Sequence, residues 1–240
     1  MKRALHLLLA LLAFTVSLNA DPFTDALSAY EKGEYEAAVD QFERAAIENE
    51  TAAARHNLAL SHFQLGQPAE AAWQIERALR IAPLNREYHY KLGALRQQIG
   101  LFESAPNWYT LGAQLLPTTA WILIACASFW LLLAAFILPR VGGLRVDLSI
   151  KSLRALSIVL LLPALPSLWI NHSLNQNGIV VSNSPADLHA APASAAPASG
   201  IARPGERARI LDQHNDFYQV ETEGQATGWI SKQAFRSLEI

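Results

Sequence analysis

Two long apolar stretches dominate the pattern of hydrophobic and polar positions along the chain. Residues 119–138 contain no charged side chain, and residues 153–170 are almost as apolar. A helix of about twenty residues spans the ~30 Å hydrocarbon core of a bilayer. The pattern therefore predicts two transmembrane helices, the second kinked at Pro163 and Pro166 because proline removes a backbone donor. A re-entrant or surface-lying helix is the alternative for the second stretch.

The segment between these stretches, residues 139–152, is basic. It carries Arg140, Arg145 and Lys151, with Arg154 just beyond it, against the single acidic residue Asp147. Short loops rich in Lys and Arg remain in the cytoplasm. We therefore predict a cytoplasmic loop, with the parts of the chain before and after the two helices both outside the cytoplasm.

Residues 1–20 have the layout of a secretory signal peptide. A basic start precedes an apolar run, and the small residues Ser17 and Ala20 provide a cleavage site. Leu18 fits the small-residue rule poorly, so the segment is either cleaved after Ala20 or kept as an anchor. Both versions place the following residues outside the cytoplasm.

Residues 21–118 contain an internal repeat. Gly33, Gly66 and Gly100 are spaced by 33 and 34 residues, and similar residues follow each of them. Small residues come five and twelve positions later, and a large apolar residue comes nine positions later. These are Ala38, Ala71 and Ala105; Ala45, Ala78 and Gly112; and Phe42, Ile75 and Tyr109. The pattern is typical of stacked helical hairpins, in which glycine forms the turn and small residues let two helices approach.

The repeat resembles the tetratricopeptide repeat in residues 33–39, 57–59 and 91–93, which read Gly-Glu-Tyr-Glu-Ala-Ala-Val, Asn-Leu-Ala and Lys-Leu-Gly. The resemblance implies three repeats and a concave groove, lined by the first helix of each hairpin, that binds peptides or partner proteins. The candidate groove residues are Phe23, Leu27, Tyr30, His56, Leu60, Phe63, Tyr90, Ala94 and Gln97. For Phe63 and Tyr90, packing within the stack is the alternative role.

Pro106 falls where the second helix of the third repeat is expected. We therefore predict that this helix starts late, with Ser104 as its cap and Pro106 in its first turn, where a missing donor costs little.

The sequence changes character in residues 171–240. Strand-like patches start at Gly178 and recur at 208–211, 217–222 and 226–230, which predicts a small antiparallel barrel. Residues 216–220 and 228–235 resemble the bacterial SH3-like domain. That resemblance implies that the Ala/Pro/Ser-rich residues 184–200 form a long loop after the first strand, beginning at residues 186–189. Taken alone, their composition equally suits a disordered tether. We favour the loop, because without residues 179–182 the barrel would lack its first strand.

Three aromatic side chains of the predicted barrel, Phe217, Tyr218 and Trp229, are candidate surface residues, because small barrels often bind extended peptides through aromatic grooves. For Trp229 we favour a place in the core, since a barrel of this size has few other large side chains to bury.

Composition and charge narrow the function classes. The chain of 240 residues is 51% hydrophobic, and residues 21–118 contain thirteen acidic and eight basic side chains. The parts predicted to be exported carry no basic face for nucleic acid. The only cysteine, Cys126, lies in the first apolar stretch, so no intramolecular disulfide is expected.

We find no catalytic motif in the sequence. It contains no His-Glu-x-x-His pair, no Gly-x-Ser-x-Gly elbow and no glycine-rich phosphate loop. His56 and His62 are six residues apart, which does not place them on one helix face as metal ligands. We therefore expect no enzymatic activity, no cofactor and no metal site.

The predicted architecture is multidomain: an all-α tetratricopeptide solenoid, two transmembrane helices and a small all-β SH3-like barrel. Its order resembles the BatE-type proteins of the bacterial aerotolerance (Bat) system. The resemblance implies a non-enzymatic membrane scaffold that works with von Willebrand A-domain membrane proteins and a MoxR-type ATPase in stress tolerance or envelope maintenance. The alternative is a peptidoglycan-binding envelope protein whose repeats recruit a cell-wall enzyme.

Overall fold

The computed structural model describes residues 21–102, 107–142 and 147–238, and within them it contains eight helices and seven strands. The helices are α1 (Pro22–Glu31), α2 (Tyr35–Glu48), α3 (Ala52–Gln64), α4 (Pro68–Ile81), α5 (Arg86–Gln98), α6 (Trp108–Gln114), α7 (Thr118–Val141) and α8 (Leu148–Asn175). The predicted signal peptide, residues 1–20, lies outside the described residues, as do Ser104, Ala105, Pro106 and Arg145.

The first six helices form three helical hairpins, as the glycine spacing predicts. Gly33, Gly66 and Gly100 each follow the first helix of a hairpin with φ of +80°, +71° and +76°. A Cβ at any of these positions would meet no atom within 4 Å. The turns therefore require glycine for its backbone conformation and not for space.

The first two hairpins pack through the small and large residues of the repeat pattern. Ala38 and Ala71 are fully buried at the helix contacts, and Phe42 and Ile75 fill the space between helices. Leu58 of α3 joins the core of the first hairpin and so connects it to the second. This confirms that the all-α part is a stack of tetratricopeptide-type hairpins.

The third hairpin is shorter than the other two. Its second helix, α6, begins at Trp108 and contains seven residues. Tyr109, which the repeat pattern places between hairpins, is 46% exposed. The reason is that the chain turns at Pro117 into α7 in place of a fourth hairpin that would cover this side chain.

Helices α7 and α8 are long and apolar enough to cross a membrane. Both extend beyond the predicted stretches, with 24 and 28 residues, so that residues 142–147 separate them where a loop of residues 139–152 is predicted. Arg140 therefore lies in the last turn of α7 and Lys151 in the first turns of α8. Helix α8 runs through Pro163 and Pro166 without ending.

Small side chains line the contact between α7 and α8. Ser128 and Ala135 of α7, and Ser157 and Ala164 of α8, are almost fully buried and are each spaced by seven residues. This spacing places them along one seam, where small residues let two apolar helices approach closely in a lipid environment.

Arg154 joins the two helices through a backbone carbonyl that proline leaves unpaired within α7. Pro139 has no N–H, so it cannot bond the carbonyl of Ala135 four residues earlier. The Arg154 Nε and Nη2 donate to Ala135 O at 3.1 and 2.8 Å. The guanidinium also lies 4.3 Å from the centre of the Phe136 ring. Arg154 thus satisfies a polar group that the apolar surroundings would otherwise leave without a partner.

Removing this donor should destabilise the hairpin in a way that depends on Pro139. We expect Arg154→Met to lower the free energy of unfolding of the full-length protein in mild detergent by about 1–3 kcal/mol, the cost of an unpaired buried acceptor. In a Pro139→Ala background, where a backbone N–H again reaches Ala135 O, the same substitution should cost clearly less. Equal costs in the two backgrounds of this double-mutant cycle would contradict the assignment.

The C-terminal part is a seven-stranded antiparallel sheet within the described residues. Its strands are β1 (Asn177–Val180), β2 (Ala186–His189), β3 (Ala198–Ala202), β4 (Arg207–His214), β5 (Phe217–Thr222), β6 (Thr227–Ser231) and β7 (Phe235–Ser237). They are arranged in the order β3-β2-β6-β5-β4-β1-β7. Val180, Leu188, Val220, Ile230 and Phe235 form its core. The small all-β barrel of the prediction is therefore present.

The Ala/Pro/Ser-rich segment differs from its prediction. It is neither one long loop nor a disordered tether, because residues 186–189 form β2 and residues from 198 onward form β3. Leu188 is fully buried in the core, and backbone bonds pair the two strands. One buried leucine and an antiparallel ladder, interrupted by a register shift between Leu188 and His189, are enough to order a segment whose composition is otherwise weakly apolar.

The barrel packs directly against the repeat stack, which the sequence did not predict. Trp73 of α4 contacts Ile179 of β1 and the buried Leu238 after β7. Its Nε1 donates to Ser237 O at 3.0 Å, and the Arg236 guanidinium lies 5.0 Å from its ring centre. The side chain is only 7% exposed, so the barrel covers it.

Among the described residues, three charge pairs connect the stack to the barrel near this apolar contact. Arg236 pairs with Glu70 at 2.8 Å, Arg207 pairs with Glu76, and the fully buried Arg96 pairs with Glu223 at 2.5 Å. Each joins one residue of the repeat stack to one of the barrel. The two parts therefore share an interface that combines an apolar contact with charged pairs, one of which contains the fully buried Arg96.

Trp73→Ala should loosen the barrel from the stack. Replacing a buried Trp by Ala typically lowers the free energy of unfolding by about 3–5 kcal/mol. Here the substitution removes packing from both the stack and the barrel. We expect faster hydrogen exchange in α4, β1 and β7, measured on the full-length protein by mass spectrometry. Phe102→Ala is the control, because Phe102 is 86% exposed. Unchanged exchange in β1 and β7 would show that Trp73 does not hold the two parts together.

Candidate functional site

The second and third hairpins form an apolar depression between α3 and α5. It has a volume of about 210 Å³ and is lined by Ala59, Leu60, Phe63, Ala71, Ile75, Tyr90, Lys91, Ala94, Leu95 and Gln98. The barrel packs on α4 and on the end of α5, so it does not cover this surface. We call this depression the groove.

Four of the residues predicted for a binding groove line it: Leu60, Phe63, Tyr90 and Ala94. Tyr90 is 78% exposed and Phe63 is 37% exposed, so both side chains remain accessible to a partner and are not buried within the stack. Buried Ala59, Ile75 and Leu95 form the floor. The arrangement can accept an apolar side chain of a partner between two aromatic rings.

The other predicted groove residues are placed differently. Phe23 packs edge-to-face on Phe42 with ring centres 5.6 Å apart, and Tyr30 packs in the same way on Tyr35 at 5.4 Å. These two aromatic side chains thus contribute to the first hairpin's packing. Leu27 and Gln97 are exposed but do not line the groove, where Gln98 lies instead.

His56 lies beside the groove in a polar network. Its ring stacks on Tyr88 at 4.8 Å, and its Nε2 accepts from Lys91 Nζ at 2.8 Å. Lys91 also pairs with Glu87 at 2.8 Å. Burial, and then the neighbouring Lys91 charge, lower the pKa of His56, while Glu87 raises it. His56 is therefore neutral at pH 7 and holds Lys91 against the groove wall.

Lys91 and Glu87 are absent from the sequence-based set of groove residues. Their i,i+4 spacing on α5, with Glu N-terminal to Lys, is the signal that could have drawn attention to them. The spacing does not reveal His56 as the third member, because that contact joins two hairpins.

The barrel presents a second group of aromatic rings on the face opposite its core. Trp229 of β6 is paired with His189 of β2, and its ring lies 6.5 Å from that of His214. The ring centre of Phe217 of β5 lies 6.4 Å from that of His189, in an edge-to-face arrangement. We call these four residues the outer aromatic face.

The expectation that Trp229 belongs to the core is wrong. Ile230 is buried in the core, and because successive side chains of a strand alternate, Trp229 points to the other face and is half-buried. Tyr218 has the reverse arrangement. It packs against the core and edge-to-face on Phe235 at 5.7 Å, so of the three predicted surface aromatics only Phe217 and Trp229 lie on the outer aromatic face.

Metal ligands are not grouped in the part of the chain that the structure describes. No three or more His, Cys, Asp or Glu side chains in residues 21–102, 107–142 and 147–238 lie close enough together to hold an ion. The groove and the outer aromatic face are built from apolar, aromatic and hydrogen-bonding groups, which suits binding.

Comparison with known families agrees with this geometry. A repeat stack and a small barrel together make this a multidomain protein. Residues 23–86 and 56–117 match the model of the tetratricopeptide repeat, and residues 184–235 match that of the bacterial SH3 domain. The search of curated proteins finds no match. The two families indicate binding of proteins, or of cell-wall material through the SH3 domain, and tetratricopeptide repeats are typically non-catalytic scaffolds.

The pKa of His56 provides a test of the network beside the groove. We expect Lys91→Met to raise this pKa toward its ordinary value of 6.5, because the substitution removes one of the two causes that lower it. Glu87→Gln should lower it further, because the Glu87 charge raises it. Histidine NMR titrations of the detergent-solubilised protein measure both shifts. Shifts of the same sign in the two variants would contradict the arrangement.

Proposed function

We propose that the protein is a non-enzymatic, membrane-anchored scaffold that binds partner proteins through the groove. The observation that carries this proposal is the apolar depression between α3 and α5, whose rim holds the exposed Tyr90 and Phe63. Large exposed aromatic side chains beside an apolar pocket are typical of protein-binding surfaces. The groove suits a segment that inserts one apolar side chain.

The contact between stack and barrel supports a single compartment for both parts. Trp73 and Ser237 are 164 residues apart in sequence, with α7 and α8 between them, and they are joined by a hydrogen bond. Two membrane crossings return the chain to the side from which it left. The basic residues Arg140 and Lys151 lie at the far end of the helix pair, where the positive-inside rule favours the cytoplasm. These features support an inner-membrane topology in which stack and barrel both face the periplasm.

Within this topology, the architecture favours a role in a Bat-type system of stress tolerance or envelope maintenance. The partners would be von Willebrand A-domain membrane proteins, which lie in the same membrane, together with a MoxR-type ATPase. A groove held beside the membrane surface meets membrane partners at a raised effective concentration.

A second candidate function is peptidoglycan binding through the barrel, with the repeats recruiting a cell-wall enzyme. The outer aromatic face favours it, because the half-buried Phe217 and Trp229 lie beside two histidines on the side of the barrel away from its core. The isolated barrel is unsuited to a test, since it would expose Ile179 and Leu238.

Photocrosslinking in native membranes distinguishes the two functions. With a benzophenone amino acid at Tyr90, we expect crosslinks to a membrane protein that disappear when Leu60→Asp places a charge in the groove. The same probe at Ile47, which is 83% exposed on α2, is the control. Equal crosslinks at both positions would contradict a groove partner.

Binding to purified sacculi tests the second function. Retention of the full-length protein on sacculi that is lost in Trp229→Ala would favour peptidoglycan binding.

A further inference from the structure

A cleft of about 610 Å³ lies where the repeat stack meets the ends of the two apolar helices. Three segments form it: the turn after α4 at residues 81–85, the connection from α6 to α7 at residues 114–118, and the last turns of α8 at Asn171 and Asn175. It is separate from the groove and from the outer aromatic face.

The edges of this cleft expose several large apolar side chains. Leu84 and Leu115 are each 58% exposed, and Ile81 and Leu116 are each 38% exposed. They come from two segments that are distant in sequence but line one cleft. A concentration of exposed apolar groups of this kind marks an interaction site.

Hydrogen bonds hold this surface at the level of the helix ends. Ala113 O accepts from Trp121 Nε1 at 2.8 Å and from Asn171 Nδ2 at 2.9 Å, so α6 is fixed to the start of α7 and the end of α8. Arg80, at the end of α4, donates to Asn175 Oδ1 at 3.0 Å and to Leu174 O. The turn that carries Leu84 is therefore placed beside the last turn of α8.

The lengths of the helices place this level in the interfacial layer of a bilayer. Helices α7 and α8 contain 24 and 28 residues, so they are ~36 and ~42 Å long. Each is longer than a hydrocarbon core of ~30 Å, and its ends therefore extend a few residues beyond that core. Trp121 and Trp169 lie near the same ends, where tryptophan is enriched at membrane interfaces.

We propose that this cleft is a lipid-binding surface, in which Leu84, Leu115 and Leu116 contact the acyl chains of phospholipids in the adjacent leaflet. The proposal rests on the membrane anchoring proposed above. Lipid is the occupant that the structure favours, because only the uncharged residues 117–120 connect Leu116 to the apolar run of α7. The Arg80 guanidinium donates to Asn175 and Leu174, and the Asn171 amide donates to Ala113, so the cleft offers lipid chiefly its apolar side chains.

Site-directed fluorescence in nanodiscs of phosphatidylcholine and phosphatidylglycerol tests this surface. An environment-sensitive NBD label is placed on Leu84→Cys, or on Leu115→Cys as a second variant, in a Cys126→Ser background of the full-length protein. Ile47→Cys in the same background is the control on the stack. We expect quenching by phosphatidylcholine spin-labelled near the glycerol end of its chain to be at least about twofold stronger at 84 and 115 than at 47.

The native Cys126, near the middle of α7, reports on the membrane anchor itself. If a label on Cys126 is quenched by phosphatidylcholine spin-labelled near the end of its chain, while labels at 84 and 115 behave like that at 47 toward the shallow quencher, the lipid surface is overturned and the anchor stands. If Cys126 is not quenched, both fail. A label at 84 that is shielded from water but insensitive to lipid quencher would indicate a protein or second copy in the cleft, and would also overturn the proposal.

Discussion

The contact of Trp73 with the barrel is the constraint on which the architecture depends. It joins an early helix of the chain to its last described strand, and the charged pairs around it fix the orientation of one part on the other. Because α7 and α8 lie between the two contact partners in sequence, the helix pair has to bring the chain back to its starting side. The stack and barrel, which the sequence suggests as two separate modules, are thus one body above a helical hairpin, with the groove facing away from their shared interface.

Local signals in the sequence were sufficient for most of the fold. The spacing of Gly33, Gly66 and Gly100 predicts the hairpin turns because only glycine readily adopts a positive φ there. The two apolar stretches are each long enough for one membrane-length helix, and they predict α7 and α8. The bounds were less accurate, since apolarity ends before the helices do. Asp147 caps α8 six residues before its predicted start, and a capping side chain is a weaker signal than an apolar run.

The candidate sites were harder to predict, because they depend on contacts between elements. The resemblance to a repeat family indicates which helix lines a groove, but not that Phe23 packs on Phe42 while Tyr90 stays exposed. In the barrel, the register decides whether Trp229 or its neighbour Ile230 faces the core, and a difference of one residue reverses the answer. The pairing of Arg96 with Glu223 spans 127 residues and leaves no trace in local sequence pattern.

The short connection between α6 and α7 has a mechanical consequence. Only residues 115–117 separate α6 from α7, and Ala113 O accepts hydrogen bonds from both α7 and α8. A displacement of the stack therefore tilts the two helices, because a connection of three residues is too short to absorb the displacement by extending. At the far end Arg154 joins the pair through Ala135 O, so the two helices tilt together and the displacement reaches their opposite end.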